Sequence, residues 1–311
     1  MDRTIAWVFP GQGSQFVGMA SDLAGAYTRA AEVLGLAGQV LGPELLRIMA
    51  AGPEEALTAT EVAQPALLTH SAAVTRVLED AGLQPHLVAG HSLGEYSALV
   101  AAGGLDLESA LRLVRERGLA MAEAGRERGG AMAAVLGLEA ARLPAVVAQA
   151  AEVGTLVVAN YNSPGQVVLS GTVAAVERAR ELSKAAGATR TLLLKVSGAF
   201  HSPLMAPAAE RIRPLLEAAP LENTAWPLVS NVDAVARTDA EEIRAALLAQ
   251  STSSVRWAES VEAMLAAGVN CFVEVGPRQV LTKLVQRMAP DVETFSTSDV
   301  AGVQAVLEAL S

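Results

Sequence analysis

Gly90-His91-Ser92-Leu93-Gly94-Glu95 places a serine between two glycines, the Gly-x-Ser-x-Gly spacing. An apolar run, Leu87-Val88-Ala89, precedes it and an apolar segment from Tyr96 to Ala102 follows, so the stretch reads as strand, sharp turn, helix. Glycine on both sides lets the backbone bend without a side-chain clash and lifts the serine hydroxyl to the edge of a sheet. There Ser92 sits at a helix N-terminus, where unpaired amides favour developing negative charge. On the motif alone it is either a nucleophile or a serine that only caps the helix. A nucleophilic serine needs a base, and His201 in Gly198-Ala199-Phe200-His201-Ser202 is the best-placed histidine downstream. His91 adjoins the serine but points away along the turn, which assigns it to packing or to a supporting hydrogen bond. No Asp or Glu stands in an obvious triad position; Asp233, in Ser230-Asn231-Val232-Asp233, reads as part of a strand and turn. A backbone carbonyl is then one option for the group that orients His201.

Two further stretches carry residues of the right type. Pro10-Gly11-Gln12-Gly13-Ser14-Gln15 follows an apolar run, Ile5 to Phe9. It lacks the Gly-Lys-Ser/Thr ending of a phosphate loop and the third glycine of a dinucleotide fingerprint. It is either a simple strand-to-helix turn or a loop whose amides face an oxyanion beside the elbow. The second stretch is a helix predicted from Asp106 to Gly125, capped by Asp106, with Leu107, Ala110, Leu111, Val114, Gly118, Met121 and Ala122 at helical spacing. Arg112, Arg115, Glu116 and Glu123 fall on its solvated side, but Arg117 lies at the edge of the apolar arc. A guanidinium drawn inward needs an anionic partner, either a structural Asp or Glu or a carboxylate on a substrate.

These residues need elements to hold them. A helical pattern spans Pro53 to Ala81, with Gln64-Pro65 as an internal start. Arg126 to Gly130 is a charged, glycine-ended break. Beyond it the period changes: strand Ala131 to Leu136, helix Glu139 to Ala151, strands Thr155 to Ala159 and Gln166 to Ser170, helix Val173 to Ala186, strand Thr191 to Val196. Asn160 to Gly165 is the central turn of this split βαβ order, which predicts a small ferredoxin-like insert and a cleft beside it. A helix follows from Leu204, a polar loop runs from Leu248 to Trp257, a strand from Cys271 to Val275 and a helix from Val280 to Met288. His70 and His86 lack partners at metal-ligand spacing and read as surface or capping residues.

Composition sets the outer bounds. Of 311 residues, 51% are hydrophobic and 4% aromatic, and the formal net charge is -10. A globular core with a smaller insert fits that length, and an acidic chain is a poor binder of nucleic acid. Cys271 is the only cysteine, the N-terminal apolar run is too short for a signal peptide, and no run spans a bilayer. The expectation is a cytoplasmic protein that needs no metal or cofactor and binds neither membrane nor nucleic acid.

Taken together, the motifs resemble a known family. Phe9 to Gln15, Gln64-Pro65-Ala66, Gly90 to Glu95, Arg117, Gly198 to Ser202, Gln250 with Val255-Arg256-Trp257, and Glu274-Val275-Gly276-Pro277 stand in the order found in malonyl-CoA:acyl carrier protein transacylases and the acyltransferase domains of polyketide synthases. The resemblance implies Ser92 as nucleophile, His201 as base, the amides of Gln12 and Leu93 as oxyanion hole, and the Gln250 carbonyl as the group orienting His201. It implies that Arg117 clamps the malonyl carboxylate, with Gln64, Met121 and Phe200 beside the substrate. Ala-Phe-His at 199–201 is similar to the malonyl-selective version. Malonyl-CoA and acyl carrier protein are the implied partners, with Lys184, Arg190, Lys195 and Lys283 as basic residues that could meet an acidic carrier. Serving a polyketide synthase, a serine hydrolase or thioesterase, and a non-catalytic docking scaffold are the rival readings. The expected fold is α/β: an α/β-hydrolase-like core with a mainly parallel central sheet, residues 1–128 and 197–311, and the ferredoxin-like insert, residues 129–196.

Overall fold

Residues 3–310 are described by the computed structural model of the chain. Among them, ten strands form two sheets. The strands are β1 (Ile5–Phe9), β2 (Leu87–Gly90), β3 (Ala131–Leu136), β4 (Leu156–Ser163), β5 (Gln166–Gly171), β6 (Arg190–Leu193), β7 (Leu228–Val229), β8 (Ala236–Arg237), β9 (Cys271–Glu274) and β10 (Glu293–Ser296). The larger sheet runs β10-β9-β1-β2-β7-β8 and is parallel except for the pairing of β7 with the edge strand β8.

Successive residues of a strand point to opposite faces, and β1 shows the result. Trp7 and Phe9 enter one apolar cluster with Val88 and Val273, whereas Ala6 and Val8 enter another with Ala89 and Phe272. Helices cover both faces, as a parallel sheet requires. Register then sets the working edge. Phe9 pairs with Gly90 and Val8 with Glu274, so the carboxyl ends of β1, β2 and β9 finish side by side. The turns after β1 and β2 therefore meet, and the His91 N–H donates to the Phe9 carbonyl at 2.9 Å.

Two long helices stand behind that edge. Thr60–Asp80 is buried on nearly every face and Leu107–Arg128 packs along it, its first turn capped by the Asp106 carboxylate on Ser109 N. At their closest approach a Cβ on Gly118 would lie 2.9 Å from Glu61 Cα, so a side chain there would force the helices apart. That proximity brings Arg117 to Gln64. The helix passes unbroken through Pro65, so Gln64-Pro65 is not the start predicted for it; the break falls earlier, between Glu54–Thr58 and Thr60–Asp80. His70 lies within this buried helix at 0% exposure, which corrects its reading as a surface residue. His86 is exposed and accepts the first N–H of β1, from Ile5.

Strands between Ala131 and Leu193 form the second sheet, antiparallel, in the order β4-β5-β3-β6, with helices Leu143–Ala151 and Val173–Ala185 and their own apolar cluster. β4 is longer than predicted. It runs through Asn160 to Ser163, leaving Pro164-Gly165 as the turn, because Tyr161 N and the Ala159 carbonyl pair with Val255 from beyond Gln250. No helix among the described residues is long and apolar enough to cross a membrane.

Candidate active site

The turn after β2 is as tight as the glycines imply. A Cβ on Gly94 would lie 2.0 Å from the Phe9 carbonyl oxygen, and one on Gly90 would lie 1.9 Å from Gly94 C. Ser92 itself takes φ 54 and ψ -106, a conformation that costs a non-glycine residue about 1–3 kcal/mol. Asn231 holds it there. Its Oδ1 accepts from the Ser92 N–H at 2.7 Å, and its Nδ2 donates to the Gly90 carbonyl at 2.6 Å.

His201 reaches the same point from a loop in which it too has a positive φ, 55°. Its Nε2 lies 2.7 Å from Ser92 Oγ, while Nδ1 faces the carbonyls of Gln250 at 3.0 Å and Ser253 at 3.1 Å. Carbonyl oxygens only accept, so Nδ1 carries the proton and Nε2 is left to accept from the serine hydroxyl. Burial and then the nearby Arg117 charge push the imidazole pKa down to about 3, which keeps it neutral. Among the described residues no carboxylate meets it. Asp233 instead pairs with Arg237.

Arg117 is 1% exposed and is met by neutral oxygens. Nη1 donates to Gln64 Oε1 at 2.6 Å, and Nη2 donates to Gln250 Oε1 at 2.9 Å and to Ser92 Oγ at 3.2 Å. The guanidinium carbon sits 5.2 Å from the centroid of the Tyr96 ring, and Nε has no hydrogen-bond partner among the described residues. Among the described residues no Asp or Glu forms an ion pair with it. Burial lowers its pKa, and the surrounding oxygens leave its charge open to an incoming anion.

These groups face a cleft of about 420 Å³ lined by Gln12, Gln64, Ser92, Leu93, Arg117, Met121, Phe200 and His201. Leu93 opens the helix Leu93–Ala101, where the first N–H groups lack intrahelical partners, and Gln12 stands in the facing turn after β1. Gln64 and Met121 touch each other, amide to thioether, at 3.5 Å. Gln250 is fully buried behind the cleft wall. Asn160, Leu194 and Lys195 line the opposite side, so the cleft runs between the two sheets. A hydroxyl paired with a neutral imidazole, orphan amides and a buried cation can together attack a carbonyl whose acyl chain ends in an anion.

Residues 6–305 match the acyl transferase domain family.

The chain belongs to the acyl transferase domain family.

This acyl transferase domain is 46% identical over 310 residues to the malonyl CoA-acyl carrier protein transacylase of Haemophilus influenzae, covering 99% of each chain. It is 44% identical over 307 residues to that of Bacillus subtilis, covering 98% of this chain and 97% of the relative. Among solved structures, an acyl carrier protein S-malonyltransferase from Vibrio cholerae shares 46% identity with a TM-score of 0.93, over 97% of this chain and 99% of that one. A malonyl-transacylase in complex with its type II PKS acyl-carrier protein shares 43% with a TM-score of 0.95, over 98% and 99%.

Several residues of this acyl transferase domain's site escaped sequence reading. Asn231 stands in sequence only within a strand and turn, and Glu95 only at the end of the elbow motif. Arg278, over the Phe16 ring at 5.5 Å, also lines the cleft. His91 Nε2 meets Asn162 Oδ1 at 2.9 Å, tying the elbow to β4, which fits the supporting hydrogen bond expected of it. Of the basic residues expected to meet a carrier, Lys195 lines the cleft; Lys184, Arg190 and Lys283 are exposed away from its lining.

Proposed function

We propose that this chain moves the malonyl group from malonyl-CoA to the phosphopantetheine thiol of acyl carrier protein, supplying extender units for fatty acid synthesis. The observation that carries this reading is the Arg117 guanidinium, bound only by neutral groups yet within hydrogen-bond distance of the Ser92 hydroxyl. A plain serine hydrolase has no use for a buried cation there.

The reaction runs in two exchanges. His201 Nε2 takes the Ser92 proton as Oγ bonds to the thioester carbon, and the amides of Gln12 and Leu93 meet the oxyanion, each contributing about 3 kcal/mol. The carbon-sulfur bond breaks and the coenzyme A thiolate leaves with the proton from His201. The carrier thiol then gives its proton to His201, its sulfur bonds to the malonyl carbonyl carbon, and Ser92 departs and recovers the proton. The Gln250 carbonyl keeps the imidazole in the required tautomer, shared with that of Ser253. Arg117 pairs with the free carboxylate, while Gln64, Met121 and Phe200 wall the acyl pocket. Lys195 and Arg278 offer positive charge at the cleft to coenzyme A or the carrier. No added cofactor takes part, and the chain works in the cytoplasm without membrane or nucleic acid.

The finer architecture reads as an α/β-hydrolase-like core, residues 1–128 and 197–311, carrying a ferredoxin-like unit, residues 129–196. The parallel sheet with its elbow supports the first, and the strand order β4-β5-β3-β6 supports the second.

Intact-protein mass spectrometry after brief exposure to malonyl-CoA tests the reading. One malonyl adduct is expected, absent from Ser92→Ala and discharged by adding carrier protein. Free malonate released equally with and without carrier, or an adduct that survives in Ser92→Ala, overturns it.

A further inference from the structure

Gln250 lies between an acidic and a basic side chain. Its Nε2 donates to Glu95 Oε2 at 2.7 Å and to the Ser92 carbonyl at 3.0 Å, and its Oε1 accepts from Arg117 Nη2 at 2.9 Å. Glu95 is 1% exposed, its Oε2 also accepts from the Asn231 N–H at 3.2 Å, and among the described residues no ion pair reaches it. A buried carboxylate without a cationic partner is costly, and the reaction as written above does not use it.

We propose that Glu95 is a positioning residue of the acyl-transfer site: its carboxylate turns the Gln250 amide so that the amide oxygen faces Arg117, holding the guanidinium in place without neutralising it. The proposal rests on the reading that Arg117 receives the substrate carboxylate. An amide can present either end to a neighbour, whereas Glu95 Oε2, which also accepts from the Asn231 N–H, stays an acceptor even when a proton sits on Oε1. Glu95 therefore requires the NH₂ of Gln250 on its own side, and the oxygen must face Arg117. The Glu95 carboxyl oxygen, the amide dipole and the cation stand in a line in which each polarises the next. Direct pairing of Glu95 with Arg117 would occupy the guanidinium fork that a substrate carboxylate needs. With one amide between them, the counter-charge is close enough to raise the Arg117 pKa against its burial, and the fork stays free. Gln64 fixes Nη1 from the other side with another neutral oxygen.

The test is loading of Ser92 by malonyl-CoA and by acetyl-CoA, followed in the full chain as kcat and KM for each. In Glu95→Ala the malonyl-to-acetyl ratio of kcat/KM is expected to fall about ten-fold, mostly through the malonyl-CoA KM, as a misplaced clamp would produce. Glu95→Gln, which can still turn an oxygen to Gln250, should recover most of that ratio. Should Glu95→Ala not fold, Glu95→Asp carries the test, since it withdraws the carboxylate by one methylene and is expected to lower the ratio several-fold. An unchanged ratio in Glu95→Ala or Glu95→Asp, or a Glu95→Gln no better than Ala, overturns the proposal. Wild-type protein that loads acetyl as readily as malonyl overturns instead the underlying reading of Arg117, whatever the variants do.

Discussion

The Arg117 guanidinium donates to the Ser92 hydroxyl at 3.2 Å, so a buried cation and the elbow serine share one oxygen. In malonyl-CoA the free carboxylate is one methylene away from the thioester carbon. In the proposed reaction, a substrate whose carbonyl meets Ser92 would bring its carboxylate to the guanidinium, so that the spacing would select by chain length as well as by charge. The same cation depresses the His201 pKa and so helps to keep the base unprotonated.

Replacing Arg117 by alanine should lower malonyl loading roughly 30- to 150-fold, the worth of a charge-assisted hydrogen bond of about 2–3 kcal/mol. Acetyl loading, which has no carboxylate to lose, should change only a few-fold. Quenched-flow loading of both thioesters provides the comparison, and equal losses would remove the clamp.

Asn231→Ala should behave differently. It removes the acceptor for Ser92 N–H and the donor to the Gly90 carbonyl, the bonds that hold the strained turn. Malonyl and acetyl loading are expected to fall together by about ten-fold or more, with stability lower by about 1–3 kcal/mol. Thermal melts and loading rates check both halves; a loss confined to malonyl would place Asn231 with the clamp.

In Glu95→Gln, where position 95 no longer titrates, the loading rate should be nearly flat from pH 7.5 to 5.5, because His201, pushed down to about 3, is already neutral throughout. An unshifted histidine at 6.5 would lose roughly ten-fold of its basic form by pH 5.5. Removing Arg117 removes one of the depressing causes, so the apparent pKa should rise in Arg117→Ala. A wild-type inflection near 6.5 that persists in Glu95→Gln contradicts this account.

Stability has its own pH dependence. Burial pushes His70 down to about 4 from its ordinary 6.5, so as pH falls through 6.5 the unfolded chain binds the proton first and stability is lost on the way to 4. Glu95 has the opposite sign: pushed up to about 7, the folded state keeps a proton the unfolded state has released, and stability falls as pH rises from 4.5 to 7. Comparing wild type with His70→Gln in urea at pH 7.5 and 5.5 isolates the first effect, because Glu95 and His201 titrate alike in both proteins. His70→Gln should lose about 1.3 kcal/mol less than wild type between those values. An identical loss in both proteins would show that His70 does not carry the linkage.

The local features were legible because they are written in short windows. The elbow needs only its two glycines and the apolar runs beside it. The helix Leu107–Arg128 announces itself through Asp106 and a 3.6-residue apolar period, and that period alone turned Arg117 inward. β1, β3 and the helix Val280–Met288 fall where alternation and turn residues placed them. β8 and β10, each four residues or fewer and partly exposed, carry too little pattern to be read.

The sequence by itself determined which residue types could do chemistry and on which local elements they stand. Only the tertiary structure decided what those residues face. Arg117 meets amide oxygens from positions 64 and 250, Glu95 meets Gln250 across 155 residues of chain, and His70 is buried by helix faces that no local window contains. The physical reason is that propensity and periodicity act over a few residues, whereas hydrogen-bond partners and desolvation depend on which distant elements packing brings together.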